Sequence, residues 1–362
     1  MTQFSIDRIT TSIPYSEFYR RYLIENRPCI LSDTFTASWS SRTEWVSADG
    51  TLDLDFLVSH YGPSEVPVTQ CEDQTEYGAA KSTREKFRDF VEYLKMAAIN
   101  RPGCRYLKDW HFQREFPNVG VYSVPEYFSS DWLNEFCDEN GEDDYRFLYL
   151  GPAGSWTPLH EDVLQSFSWS ANIAGRKRWI LFPPGEEEKL RQNGRLISDV
   201  TSVDLSAVAH SVVIQEAGEV VFVPSRWHHQ VHNLEDTLSI NHNWINGTNV
   251  RNTWALLSGL LGRVEKEISD CRPGFKTETE WMTQCQRILR ADVAMDFGDF
   301  RRMLVMVVAN RKCSLMSTNI EQPHHLSWLL ESDLKSAAEL LDVIDDHLYF
   351  RVHGGEWKTD VK

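Results

Sequence analysis

The sequence predicts a mainly β protein with α-helical additions, a strand-rich core set between a mixed N-terminal segment and a helical C-terminal region. Between about 144 and 246, short apolar runs are separated by turn signals at Gly151-Pro152, Gly175, Pro183-Pro184-Gly185 and Gly218, the texture of a β-sandwich or barrel. Before this stretch helical and extended patterns mix, and after 250 the apolar period turns helical. The expected division is 1–105, packing on the core, 106–250 as the core itself, and 251–362 as a helical region.

In chain order, Tyr15, Phe18, Tyr22 and Leu23 fall at helical spacing, and Pro28-Cys-Ile-Leu31 reads as a short strand. Residues 84–99 repeat apolar positions at Phe87, Phe90, Val91, Leu94 and Ala98, one face of a helix that Gly103 closes. Phe167–Ile173 and Arg178–Phe182, joined by Ala-Gly-Arg-Lys, read as a hairpin, with further strands at Val220–Val223 and Thr237–Ile240. Trp254, Leu257, Leu261, Val264 and Ile268 mark a helix, followed by helical patches near 281–290, 297–309 and 326–348. Such amphipathic helices either pack on a core or pair two copies as a homodimer, and core packing is the commoner use.

The 362 residues are 41% hydrophobic and 12% aromatic, which fits a packed protein and not a disordered one. A net charge of −16 argues against nucleic acid as the main partner and matches a basic one, such as a lysine- or arginine-containing protein segment. Seven cysteines, an odd number without a CxxC pair, point to a reducing compartment and not to a disulfide framework or zinc knuckle. The opening residues carry no secretory signal pattern, and no stretch of about 20 apolar residues exists to span a membrane. Cytosol, or also nucleus, is the expected location.

Two segments carry metal-ligand chemistry. His160-Glu161-Asp162 stands at the expected start of a strand, where side chains at i and i+2 share a face and can chelate one ion. Alone it is weak, because twelve histidines give roughly 0.8 such pairs by chance. Residues 218–233, GEVVFVPSRWHHQVHN, add three histidines on one expected strand. Two histidines and a carboxylate leave half an octahedron open, the facial triad of non-haem iron, whereas zinc prefers a closed N/S tetrahedron and no cysteine lies near. Period-two geometry offers either His228, Gln230 and His232 or His229, Val231 and Asn233, and does not choose between them.

The order Thr157-Pro-Leu-His160-Glu-Asp162, Trp169, Gly175-Arg-Lys177-Arg-Trp179, Gly218-Glu to Pro224, then Trp227-His-His229-Gln-Val-His-Asn233 resembles the jumonji-C family of oxygenases. The resemblance implies a double-stranded β-helix (cupin-like) core, with Fe(II) and 2-oxoglutarate as cofactors and O2 as co-reactant. It implies His160, Asp162 and His229 as iron ligands, His229 lying five residues after the strand-ending proline. It places Lys177 on the far carboxylate of 2-oxoglutarate, with Tyr106 and Thr157 as hydroxyl partners. Ser170 stands where a relative has an asparagine, and Asn241 where it has a threonine. Trp169 and Asn243 complete the implied cosubstrate set.

Longer runs, Tyr106–His111, Tyr127–Phe136, Asp144–Trp156 and Ser239–Trp244, are similar to one branch of that family. That resemblance implies C4 hydroxylation of a lysine in the eukaryotic translation termination factor. Histone N-methyl-lysine demethylation by the same iron chemistry is the first alternative, although no Cys/His-rich reader module or basic tail is present. A non-catalytic cupin-like binding module is the second, and the retained ligand set and Lys177 speak against it.

Overall fold

Strands enriched in β-branched and aromatic residues carry the core, as such side chains fit a pleated, packed surface. In chain order they are β1 (Asp7–Ile9), β2 (Cys29–Leu31), β3 (Glu65–Gln74), β4 (Ala80–Lys86), β5 (Arg105–Trp110), β6 (Arg146–Gly151) and β7 (Trp156–His160). There follow β8 (Phe167–Ala174), β9 (Lys177–Phe182), β10 (Arg191–Gln192), β11 (Arg195–Leu196), β12 (Ser211–Gln215), β13 (Val220–Val223), β14 (His228–Asn233) and β15 (Thr237–Trp244). The computed structural model describes residues 4–74, 80–96, 100–317 and 324–352, and these fall into two units.

The first unit takes its described residues from 1–129, 141–162 and 167–244. Its large sheet runs β1-β2-β13-β8-β15-β6-β5-β3-β4, and its small sheet runs β12-β9-β14-β7. From β6 to β9 the chain alternates between the two, and β12 to β15 repeat the exchange. This is the double-stranded β-helix. Between the sheets Ile30, Val221 and Val223 pack against Trp179, Leu181, Trp227 and Val231. The outer side of the small sheet is sealed by Leu190, Val200 and Val208 against Leu159, Ile180 and Phe182. With both faces covered, β13 is buried at every position and reads as an unbroken apolar run.

The expected hairpin at 167–182 is not one. β8 pairs with β13 and β15, whereas β9 pairs with β12 and β14, so the turn at Gly175 carries the chain from one sheet to the other. Periodicity marks where strands lie and says nothing of which strand they bond. Gly175 has φ +74°, and a Cβ there would run into the Asp236 carbonyl. Gly175→Ala is therefore expected to cost about 2 kcal/mol or more in urea unfolding.

The N-terminal stretch is more deeply built in than the 1–105 division supposed, since β1 to β4 are strands of the large sheet itself. The helix expected over 84–99 is observed as Phe87–Lys95, because 84–86 belong to β4, while 97–99 lie outside the described residues.

The second unit takes its described residues from 130–140, 163–166 and 245–352. Its long helices are Val250–Glu267, Glu278–Val293, Phe297–Ser317 and His324–Asp345. The helix Trp132–Asn140, expected within the core segment, belongs here instead. Arg311 explains the attachment: it bonds both Glu135 oxygens at 2.7 Å and Asp333 at 2.9 Å, and Ser130 donates to Asp333 at 2.7 Å. Among the described residues, no helix is long and apolar enough to cross a membrane.

Candidate metal centre and cosubstrate pocket

The small sheet sets the ligands through an irregularity. β14 and β7 pair His229 with His160 and Val231 with Thr157, two steps on β14 against three on β7. Strict alternation would put Thr157 and His160 on opposite faces. The extra residue at Pro158-Leu159 is a β-bulge that turns both inward and sends Leu159 to the outer cluster. Proline has no N–H to lose from the ladder and is tolerated there. His160 thus ends a strand, where the sequence suggested it would begin one, and Asp162 follows in the turn.

One ligand atom each from His160, Asp162 and His229 lies within 4.8 Å of the others. The two imidazole centroids are 4.3 Å apart. His160 Nδ1 donates to the Pro158 carbonyl at 2.8 Å, and His229 Nδ1 points to the Trp227 carbonyl at 3.4 Å. A proton held on Nδ1 leaves the Nε2 lone pair for a metal. Burial, with His160 alongside, pushes the His229 pKa down to about 4, so this imidazole is neutral near pH 7.

Asp162 is aimed from behind. Its Oδ2 accepts from Ser168 Oγ at 2.7 Å and its Oδ1 from Asn243 Nδ2 at 2.9 Å. Ser168→Ala and Asn243→Ala are each expected to weaken iron affinity by about 10–100-fold, measured by anaerobic Fe(II) titration.

The alternation question is settled by register. His228, Gln230 and His232 face the outer side: His228 Nδ1 is 3.8 Å from Glu187, Gln230 bonds Asp199 and the Val200 N–H, and His232 stacks on Trp156. His229 faces in. Among the described residues the ligand group holds no fourth protein donor, and no thiol, so its chemistry is that of an open N2O site.

Lys177, first residue of β9, is 2% exposed. Its ammonium donates to Ser239 Oγ at 2.6 Å, and burial alone pushes its pKa down to about 7. The hydroxyls of Thr157 and Ser170 are buried with no hydrogen-bond partner among the described residues. Asn241 bonds the Ser239 hydroxyl at 3.2 Å. Tyr106 is buried beside Asn233, which pairs with Lys177 across the strands, and burial raises its phenol pKa. A buried cation and two orphaned hydroxyls are costly unless something anionic and hydrogen-bonding fills the space. The far carboxylate of 2-oxoglutarate would meet that need.

One expected contact falls elsewhere. Trp169 lies on the other face of β8, stacked on His242 at 4.1 Å and beside Phe128 and Tyr122, because residues 168, 170 and 172 take the inward face. Asn243 faces in but holds the Asp162 carboxylate. Ser168 and Ser239 are not marked by the sequence, and Asn233 enters there only as a residue on the His229 face. Counting by twos from Ser170 and Asn241 along their strands would have found the two serines.

Residues 15–249 match the cupin-like domain family, a span that contains the whole ligand group. The chain is 46% identical over 321 residues to the 2-oxoglutarate and iron-dependent oxygenase JMJD4 of Gallus gallus, covering 84% of this chain and 74% of that protein. Against the protein of that name from Danio rerio identity is 45% over 344 residues, covering 91% and 80%. It is also 38% identical over 320 residues to the arginine-specific demethylase JMJ20 of Arabidopsis thaliana, covering 82% and 68%. Identity at this level over most of the chain, joined to the ligand geometry, makes the protein a member of the cupin-like jumonji-C family of 2-oxoglutarate- and iron-dependent oxygenases.

Proposed function

We propose that this oxygenase hydroxylates a lysine side chain, at C4, in the eukaryotic translation termination factor, a reaction that would take place in the cytoplasm. Iron and 2-oxoglutarate, when bound, supply the oxidising chemistry that turns a C–H bond into C–OH. The protein's share is to hold the ligands in place, to neutralise the cosubstrate's far carboxylate at Lys177, and to keep water from the cleft.

The observation that carries the lysine assignment is an acidic and aromatic wall beside the ligands. Tyr149 and Phe147 lie opposite Ser239 and Asn241 in the register of β6 and β15, so all four share the inward face. The Tyr149 hydroxyl donates to the exposed Asp109 carboxylate at 2.7 Å. Burial, then Asp109, and more weakly Asp162, raise the Tyr149 pKa well above its ordinary value. Aromatic faces with a carboxylate at the rim suit a long cationic side chain. Asp109→Asn is expected to raise KM for the protein substrate about tenfold, as for one charge-assisted hydrogen bond, with a smaller change in kcat.

The direct test incubates the termination factor with enzyme, Fe(II), 2-oxoglutarate and O2, followed by peptide mass spectrometry. One added oxygen on a lysine is expected. Formaldehyde release from methyl-arginine or methyl-lysine peptides, with the factor unmodified, would replace the hydroxylase by a demethylase.

A further inference from the structure

The strand register brings two of the scattered cysteines face to face. β3 and β5 pair Thr69 with Tyr106 and Gln70 with Arg105. The next step sets Cys71 against Cys104, whose carbonyl accepts the Cys71 N–H at 2.8 Å. Opposed residues of such a hydrogen-bonded pair project to one side with Cα atoms about 5.5 Å apart, within the span a disulfide bridges. The backbone around Cys104 is pinned, because the Tyr93 hydroxyl donates to the Gly103 carbonyl at 3.0 Å and accepts the Arg105 N–H at 2.9 Å. Cys71 is buried and Cys104 partly exposed, so a small oxidant reaches one thiol with the second waiting behind it. Two residues along the same face of β5 stands Tyr106, close enough to Cys71 for their charges to interact.

We infer that Cys104 and Cys71 form an oxidation-sensitive pair that couples peroxide to cosubstrate binding. Hydrogen peroxide oxidises the Cys104 thiol to a sulfenic acid, its O–O bond breaking and one water leaving. The Cys71 sulfur then attacks that sulfur, the S–O bond breaks, and a second water carries off the hydroxyl and the thiol proton. The product disulfide ties β3 to β5. Side chains of a hydrogen-bonded pair must be drawn together to form it, so the bond is open to reduction by small thiols. The same pull falls on Tyr106 and its contact with Asn233 beside Lys177.

The experiment uses the full chain with the exposed Cys271 and Cys313 replaced (C271S/C313S), freed of metal and treated with hydrogen peroxide. Non-reducing peptide mapping is expected to show a Cys71–Cys104 linked peptide that dithiothreitol removes. After iron is restored, KM for 2-oxoglutarate in uncoupled turnover should rise on the order of tenfold, the scale of a small misplacement at a binding group, and return on reduction. In Cys71→Ser, dimedone should trap the sulfenic acid at Cys104. In Cys104→Ser, no link forms and peroxide leaves KM unchanged. Absence of the linked peptide overturns the inference, as does a linked protein with unaltered KM. Neither readout involves a protein substrate, so this result and the lysine assignment stand or fall apart.

Discussion

Replacing His229 by alanine is expected to leave a folded protein that neither retains iron nor consumes 2-oxoglutarate. The imidazole is 4% exposed, faces His160 across the β14–β7 pair, and is one of three side chains converging on the site. Two remaining donors on an already half-open coordination sphere hold a divalent ion poorly. The loss should exceed the roughly 10–100-fold that follows removal of a hydrogen-bond partner behind a ligand. His228→Ala is the matched control, since His228 is also buried but lies beside Glu187 on the outer face of the sheet. Fe(II) titration and succinate release, read beside a circular dichroism melt, distinguish the two. Iron kept in His229→Ala but lost in His228→Ala would mean that the strand presents its other face.

The choice between these two neighbours shows where sequence legibility ends. Val220–Val223 is visible as a strand because burial on both faces leaves no polar position. His160 and Asp162 are visible as a candidate chelate from spacing and residue type, whereas His229 and Lys177 are singled out only through the resemblance to the family. Partnership between strands is not written locally. The turn at Gly175 has hairpin composition, and only the register shows that it joins two sheets. The bulge at Pro158-Leu159 is likewise invisible, yet it alone lets Thr157 and His160 face the same cleft. Trp169 was placed in the cosubstrate set by likeness of motif, and simple alternation from Ser168 and Ser170 turns it into the aromatic cluster with His242. Helix Trp132–Asn140 has an ordinary amphipathic pattern, and its membership in the second unit depends on Arg311, far away in sequence.

Lys177→Met is expected to separate stability from binding, raising one while destroying the other. In the cosubstrate-free protein the ammonium is buried with a serine hydroxyl as hydrogen-bond acceptor, and burial holds its pKa at about 7 against an ordinary value of 10.5. A folded-state pKa below the unfolded one means that the unfolded chain binds more protons between those values, so stability climbs with pH across that window. The penalty is fully present below about pH 7, on the order of a few kcal/mol, and it fades towards pH 10.5. Methionine removes the charge and keeps the volume. The melting temperature of Lys177→Met should therefore exceed that of the native chain near neutral pH, with the gap closing as pH rises. Cosubstrate affinity should fall by about 10²-fold or more, the cost of deleting one member of a buried ion pair. In the native protein a cosubstrate carboxylate docked at Lys177 would pull its pKa back up, so 2-oxoglutarate binding is expected to take up a proton above pH 7. Calorimetry at pH 8 in buffers of different ionisation enthalpy measures that uptake directly. A heat independent of buffer, or a mutant no more stable than the native chain at pH 7, would mean that the ammonium already has an anionic neighbour and that the pocket holds its charge for some purpose other than the cosubstrate.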